Sequence, residues 1–223
     1  MGLGALDQAD FTRRVAYRAI VEADASNPWW TRNDIVLRLG PEAHVVQYPL
    51  RCGSIINLVA IIRSAWRGGG AEDEWDGAAD RSTLERAFAG WSKETRTLIS
   101  APIRWRACPL YRRPPIARFA IGRVALVGDA AHPMVPFLAQ GAAQAIEDAG
   151  ALGRIIAQAR EVPAALAIYS RDRVARAARV QSEALKQGRI YHLGGSLAFG
   201  RDVTMRMLGA HRIMERYDWL YGA

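Results

Sequence analysis

Apolar and polar positions alternate in the first third of the chain and recur at helical spacing in the last half. The runs "RRVAYRAIV" (Arg13 to Val21), "DIVLRL" (Asp34 to Leu39), "HVVQYPL" (His44 to Leu50) and "SIINLVAII" (Ser54 to Ile62) are rich in β-branched residues. Asn-Pro, Gly-Pro and Cys-Gly pairs punctuate them, so the pattern predicts four strands of an antiparallel meander.

Beyond them, "RGGGAEDEWDGAAD" (Arg67 to Asp80) reads as a mobile acidic loop, and "STLE" (Ser82 to Glu85) as a capping box opening a helix that runs to about Leu98. A proline-rich stretch from Pro102 to Pro115 leads through "RWRACPL" to one more strand, "RVALV" (Arg123 to Val127). Helices are predicted from about Gln140 to Ala159, from Pro163 to Gln187 with Gly188 ending it, and from about Arg201 to Arg216. The pattern gives an α+β chain with four parts: an irregular start at 1–10, a sheet domain with an inserted helix at 11–119, a strand-loop-helix segment at 120–160, and helices at 161–223.

With 223 residues, half of them hydrophobic and 23% charged, the chain has the composition of a globular protein able to bury a core. The net charge of +8 is almost wholly arginine, since Lys93 and Lys186 are the only lysines among 30 basic residues. These charges are scattered, whereas a nucleic-acid surface concentrates them in a patch or stripe, so no nucleic-acid partner is expected. The densest run, "YSRDRVARAARVQ", places Arg171, Arg173, Arg176 and Arg179 along a helical flank. It reads either as a solvated face that attracts anions in general or as a site for a specific acidic partner. Cys52 and Cys108 have neither metal nor redox spacing, which points to a reducing, cytoplasmic compartment. The first residues lack a signal pattern, and the longest apolar run, "SIINLVAII", is too short to span a bilayer, so no membrane is expected.

The chemistry concentrates in "GDAAHPMVPFLAQGAAQAIEDA" (Gly128 to Ala149). The strand "RVALV" delivers Gly128 and Asp129 at its carboxyl end, where ligands sit in open α/β sheets. Glycine lets a ligand approach the backbone, and Asp129 can accept hydrogen bonds from sugar-like hydroxyls. Pro133 and Pro136 stiffen the loop. Gln140 and Gly141 open a helix whose first N–H groups lack intrahelical partners and can meet an anion or a polarised carbonyl. The plain alternative is a strand-to-helix connection in which Asp129 is a turn residue.

The longer string "GRVALVGDAAHPMVPFLAQGAAQAIEDA" resembles the second flavin-binding signature of the single-component FAD-dependent aromatic hydroxylases, the para-hydroxybenzoate hydroxylase group. Its wording is most similar to the salicylate hydroxylase and 6-hydroxynicotinate monooxygenase branch. "RRVAYRAIV" and "HVVQYPLR" resemble that branch's substrate-domain strands, and "ERYDWLYG" resembles its carboxyl end. The resemblance implies part of an α/β FAD-binding fold. It also implies that a phenol- or hydroxypyridine-carboxylate-like ring is hydroxylated with O2 and NADH or NADPH, as in aromatic catabolism. On matching positions, Asp129 would hold ribitol hydroxyls of FAD, with Gly128 allowing close approach. Pro136 would line the isoalloxazine edge, and the amides around Gln140, Gly141 and Ala142 would face its pyrimidine side. Glu147 and Asp148 read as structural, and His132 reads more readily as a residue ordering the loop than as a base.

On the sheet, His44, Val46 and Tyr48 share one strand face, with His44 and Tyr48 roughly 13 Å apart at about 3.3 Å per residue. They form no direct pair, yet they could flank one aromatic ring as catalytic residues: His44 titrates near neutrality and suits proton transfer, and Tyr48 suits a hydrogen bond to a hydroxyl or carboxylate. The competing reading makes both half-buried sheet residues. Arg51 is a candidate carboxylate partner. His192 and His211 have no ligand-like spacing, so no metal is assigned.

The family's opening Gly-x-Gly-x-x-Gly turn and later Asp-Gly motif have no counterpart here. "GLG" at Gly2 to Gly4 follows no strand and lacks the third glycine. The resemblance begins near Phe11, so the expectation is the carboxyl-terminal part of a longer enzyme, with weakened hold on FAD and an exposed strand edge that favours a homo-oligomer. A catalytically silent remnant acting as a binding or oligomerisation module is the alternative.

Overall fold

The structure, a computed structural model, describes residues 9–23, 33–66 and 77–222. The acidic stretch expected to be a loop lies, up to residue 76, outside the described residues. By its internal contacts the chain divides into two units. One contains Thr12–Leu110 and Tyr191–Gly209; the other contains Tyr111–Ile190, the residues up to Phe11 and those from Ala210 on.

The first unit is built on a six-stranded sheet. Strands β1 (Asp10–Glu22), β2 (Val36–Gly40), β3 (Ala43–Leu50), β4 (Ile55–Arg63), β5 (Gly77–Ala78) and β6 (Arg106–Arg112) lie in the order β2-β3-β4-β1-β6-β5. The four predicted strands are therefore present, but only β2, β3 and β4 form a meander. β1 pairs antiparallel with β4, and β6, within the segment the sequence reading left unassigned, takes its far side.

The register sorts the side chains into two faces. Ala43, Val45 and Gln47 stand opposite Ile62, Ala60 and Leu58, which in turn stand opposite Val15, Tyr17 and Ala19. All nine are buried. Two short helices, α1 (Arg81–Ala87) and α2 (Lys93–Ser100), add buried Leu84, Leu98 and Ile99 to this unit's core. On this face Arg38 of β2 joins Gln47 to Glu94 of α2.

The single helix predicted from Ser82 to Leu98 is two helices. Asp80, not Ser82, is the first cap, its carboxylate accepting from the Ser82 N–H at 2.9 Å. The chain then leaves the helix at Phe88, and Ser92 caps α2 by accepting from the Thr95 N–H. Phe88 and Trp91 fill the break edge to face, with the Trp91 ring where a Cβ on Gly40 would have to lie.

In the second unit a short hairpin, β7 (Ala120–Ile121) with β8 (Val124–Ala125), precedes the Gly128 turn. Helices α3 (Gly141–Gln158) and α4 (Val162–Tyr191) follow. The strand expected over Arg123 to Val127 is thus paired only over its first half, and antiparallel. Phe119, Ala131, Ala151, Tyr169 and Ala177 form this unit's core, and the Tyr169 hydroxyl donates to the Leu126 carbonyl at 3.0 Å.

Gly188 does not end α4 as expected. It is a buried contact point, because a Cβ there would lie 2.5 Å from the Phe137 ring. The last predicted helix is α5 (Gly195–Glu215), interrupted at Gly209 with φ of 68°, and α6 (Asp218–Tyr221) follows it. The arginine run of α4 is solvated only in part, at exposed Arg171 and Arg179. Arg173 is buried, Arg176 binds Glu147, and Arg179 lies 3.7 Å over the Trp219 ring.

Candidate functional site

In the second unit the chain turns sharply after Val127. Gly128 takes a left-handed φ of 56°, and a Cβ at that position would press to 3.3 Å from that of Ala145, so the turn sits directly on α3. The Gly128 N–H donates to Asp148 Oδ2 at 2.9 Å, and the Gly128 carbonyl accepts from both Ala131 and His132 N–H. Asp129, next in line, is left exposed.

A second turn at Pro136–Leu138 closes through the Ala139 N–H on the Pro136 carbonyl, with Ala139 left-handed at φ of 52°. It delivers buried Gln140 to the start of α3, where among the described residues no side chain caps the helix. A Cβ on Gly141 would lie 4.0 Å from Asp129 Oδ1 and as far from Met134 Cγ. The carboxylate and the uncapped helix start therefore converge. Of the sequence-predicted residues, Asp129, Pro136 and Ala142 are exposed here and Gly141 is half-buried, while Gly128 and Gln140 are buried beneath them. An acceptor for hydroxyls, a glycine cradle and free helix N–H groups in one place fit the ribitol and ring of FAD.

Behind this loop lies a buried network that the sequence identified only as structural. Asp148 accepts from Gly128, from His132 Nε2 at 2.6 Å and from Arg173 Nε at 2.7 Å. Burial opposes its ionisation, but those three donors outweigh burial and hold the carboxyl below its usual range. Arg173 also donates to Glu147 and to the Gln144 carbonyl, and Arg176 clamps Glu147 from the other side. The Arg176 hydrogen bonds, aided by Arg173, bring Glu147 to about 2. His132 is thus a residue that orders the loop.

The first unit carries the other predicted residues on the sheet face opposite α2. Here His44 stands opposite Ile61 and Ala16, Val46 opposite Val59 and Arg18, and Tyr48 opposite Asn57 and Ile20. Exposure rises along that series. His44, Ile61 and Ala16 are buried, Val46, Val59, Tyr48 and Asn57 are half-buried, and Arg18 and Ile20 are exposed.

His44 is closed in by Tyr191, edge-on at 5.3 Å, and by His192. Burial, then the neighbouring His192 and Arg14, lower the His44 pKa to about 3, so it does not titrate near neutrality as its type alone suggests. The sequence could not couple His192 to His44, which lies 148 positions earlier. Arg51 is exposed in a left-handed turn with Cys52; Arg18 is an exposed cation on the same face as Val46 and Val59. Among the described residues, no group of His, Cys, Asp or Glu could hold a metal, and no helix is long and apolar enough to cross a membrane.

Such a fold and loop are those of an FAD-binding family, and the family described as FAD binding domain matches residues 35–184. The chain belongs to that family, among its FAD-dependent aromatic hydroxylases. It is 34% identical to the 3-hydroxybenzoate 6-hydroxylase of Polaromonas naphthalenivorans (strain CJ2), over 97% of this chain and 53% of that enzyme. A salicylate hydroxylase of Pseudomonas putida is 34% identical over 82% of this chain and 43% of its own length. Among solved structures, Klebsiella pneumoniae HpxO complexed with FAD and uric acid superposes with a TM-score of 0.82 at 27% identity, covering 96% of this chain and 54% of that one. A salicylate hydroxylase substrate complex gives 0.80 at 26%, covering 96% and 55%. The chain thus spans about half the length of these relatives.

Proposed function

We propose that this chain serves an FAD-dependent monooxygenase that hydroxylates a small phenol- or hydroxypyridine-carboxylate-like ring with O2 and NADH or NADPH, in the cytoplasm. The observation that carries the reading is the approach of Asp129 Oδ1 to the uncapped start of α3 at Gly141. When bound, FAD supplies the redox chemistry that passes electrons from the nicotinamide to O2 and one oxygen atom to the ring.

The chain's own residues bind, orient and shield. Asp129 accepts from ribitol hydroxyls, and Gly128 lets the ligand close on the backbone. Pro136 gives a rigid apolar edge beside the isoalloxazine. The N–H groups at Gln140, Gly141 and Ala142 meet the pyrimidine side, where preorganised donors stabilise negative charge without having to reorient. On the sheet, Val46 and Val59 form an apolar floor for the ring, with Tyr48 and Asn57 offering hydrogen bonds to its substituents and His44 at the closed end. Arg18, on the same face, is suited to a ring carboxylate. Cys52 and Cys108 lie in neither metal-like nor redox-like spacing, which supports a reducing compartment.

A second reading, a catalytically silent binding or oligomerisation module, draws support from exposed Ile146 and Ile156 on α3 and exposed Val124 and Val127 before the turn. Titrating the purified chain with FAD separates the two. Saturable quenching of flavin fluorescence, with NAD(P)H oxidation stimulated by 3-hydroxybenzoate or salicylate, supports the enzyme. A folded, colourless protein that self-associates as its concentration rises supports the module.

A further inference from the structure

In the second unit the segment that includes α6 is pinned to α4, and through α4 to α3. Arg176 of α4 makes four hydrogen bonds at once. Its Nε and Nη2 grip Glu147 of α3 as a fork, at 2.5 and 2.7 Å, while Nη1 and Nη2 donate to the Trp219 and Leu220 carbonyls at 3.0 and 3.2 Å. The same segment is seated on α4 twice more. Arg179 lies 3.7 Å over the Trp219 ring, and the Tyr217 hydroxyl donates to Gln187 Oε1 at 2.7 Å. On the other side of Glu147, Gln144 Nε2 donates to Oε1 at 2.9 Å, and the Gln144 N–H donates to the Gln140 carbonyl at 2.9 Å. Gln144 is fully buried and its side-chain oxygen is held by Arg173. The contacts therefore run in one line from Trp219 and Leu220 to the first turn of α3.

We infer that Arg176 is a positioning residue for the flavin helix: it carries the seating of Tyr217–Leu220 through Glu147 and Gln144 to the N–H groups at Gln140, Gly141 and Ala142. The inference rests on the reading that those groups meet FAD. A half-exposed ion pair by itself contributes little to stability, and without Arg176 the Glu147 carboxylate still has Arg173, so the chain can fold with the link cut. What Arg176 adds is the link. A planar guanidinium reaches a carboxylate and two carbonyls at fixed angles, which a flexible ammonium cannot. Coupling of this kind is reciprocal, so FAD at the start of α3 must in turn steady the Tyr217–Leu220 segment.

The test compares the full chain with Arg176→Gln, Arg176→Lys and Arg171→Gln, the last removing the same charge at an exposed site of the same helix. Amide hydrogen exchange without flavin is expected to quicken in Arg176→Gln at Leu220 and Tyr221 and also at Gln144, whose N–H closes the first turn of α3. The Kd for FAD, read by fluorescence quenching, should rise roughly 5-fold or more in the same variant. Arg176→Lys should recover part of both effects, and Arg171→Gln should behave as the parent. Adding FAD should slow exchange at Leu220 and Tyr221 in the parent and not in Arg176→Gln. Parent-like exchange at Gln144 in Arg176→Gln, or an equal rise in Kd in Arg171→Gln, overturns the inference. If exchange at Gln144 quickens in Arg176→Gln while the Kd stays that of the parent, the start of α3 does not hold the flavin, and the proposed function fails instead. The exchange comparison needs no flavin, so it decides the coupling whether or not the chain binds FAD.

Discussion

Arg173 and Asp148 are 25 positions apart and meet at 2.7 Å with side chains 7% and 0% exposed. The pair ties α4 to α3, and through the second oxygen of Asp148 it also holds the Gly128 turn and His132. The Gly128 loop is therefore fixed from behind by one carboxylate. Breaking a buried pair by deleting one partner leaves the other charge without compensation, which typically costs about 3–5 kcal/mol. Asp148→Ala is expected to lower the urea midpoint by that order and to weaken FAD binding with it. Asp148→Asn, which keeps the shape and one acceptor, should lose less. A midpoint for Asp148→Ala equal to that of the parent would show that the network contributes nothing.

Asp129 makes the opposite case, because its side chain is exposed and the proposed function gives it a ligand to hold. Asp129→Ala should leave the melting temperature within error and raise the Kd for FAD by roughly 10- to 150-fold, the equivalent of losing a charge-assisted hydrogen bond of about 1.5–3 kcal/mol. Flavin fluorescence quenching gives the Kd directly. Unchanged affinity would remove Asp129 from the flavin site.

Gly188 offers a prediction whose sign is diagnostic. In the interior of a helix, alanine in place of glycine ordinarily stabilises by about 1 kcal/mol. Here the added methyl would lie 2.5 Å from the Phe137 ring, and overpacking of that kind costs about 1–3 kcal/mol. Gly188→Ala is expected to lower the melting temperature, and pairing it with Phe137→Leu should recover part of the loss. A rise in the single variant would mean that the ring moves aside freely.

The strands that hold the proposed ring site were legible because β-branched runs such as "SIINLVAII" alternate between two differently buried faces, and a strand preserves that period through its register. The turn and helix of the proposed flavin loop were legible because Gly128, Asp129 and Gly141 act locally, within one turn–helix unit. What escaped were relationships set by tertiary packing. Gly188 looks like a stop signal until Phe137 is seen to need the space. Arg173 and Arg176 look solvated until Glu147 and Asp148 of α3 are brought beside them. The break at Phe88 was hidden by apolar residues that continue a helical period across it. Asp80 was passed over as the cap because "STLE" two residues later satisfies the same sequence rule. His192 could be joined to His44 only by the fold.

On the open sheet face, Tyr48 and Arg18 are expected to divide recognition between ring hydroxyl and carboxylate. Arg18→Gln should weaken 3-hydroxybenzoate binding by roughly 10-fold or more while leaving phenol binding unchanged, since a hydrogen bond to a charged group contributes about 1.5–3 kcal/mol. Tyr48→Phe should weaken both ligands to a similar degree. Titrations followed by calorimetry check this, and equal loss for benzoate and phenol in Arg18→Gln would place the carboxylate elsewhere.

The buried histidine pair predicts how stability responds to acid. Burial first, then the neighbouring His192 ring and Arg14, depress His44 to about 3, and burial with Arg14 depresses His192 to about 4, both from an ordinary 6.5. A group whose folded pKa is depressed binds more protons unfolded than folded at pH values between the two constants. Its contribution is therefore complete above about 6.5, declines as pH falls below that, and is gone once the folded pKa is passed. Each histidine should cost about 1.4 kcal/mol per pH unit across that window. Glu147, held at about 2 by Arg176 and Arg173, begins to contribute to acid loss only near the usual carboxylate range, so the upper part of the window belongs to the histidines. Arg14, His192 and Tyr191 surround His44 there, and the Arg63–Glu42 pair lies at the ends of the adjacent strands. Urea unfolding at a series of pH values from 7 to 5 is expected to show a steep fall in stability, with the slope reduced in His192→Phe by the share of one or both rings. A flat profile in the parent chain would mean that the two imidazoles accept protons without leaving the folded state.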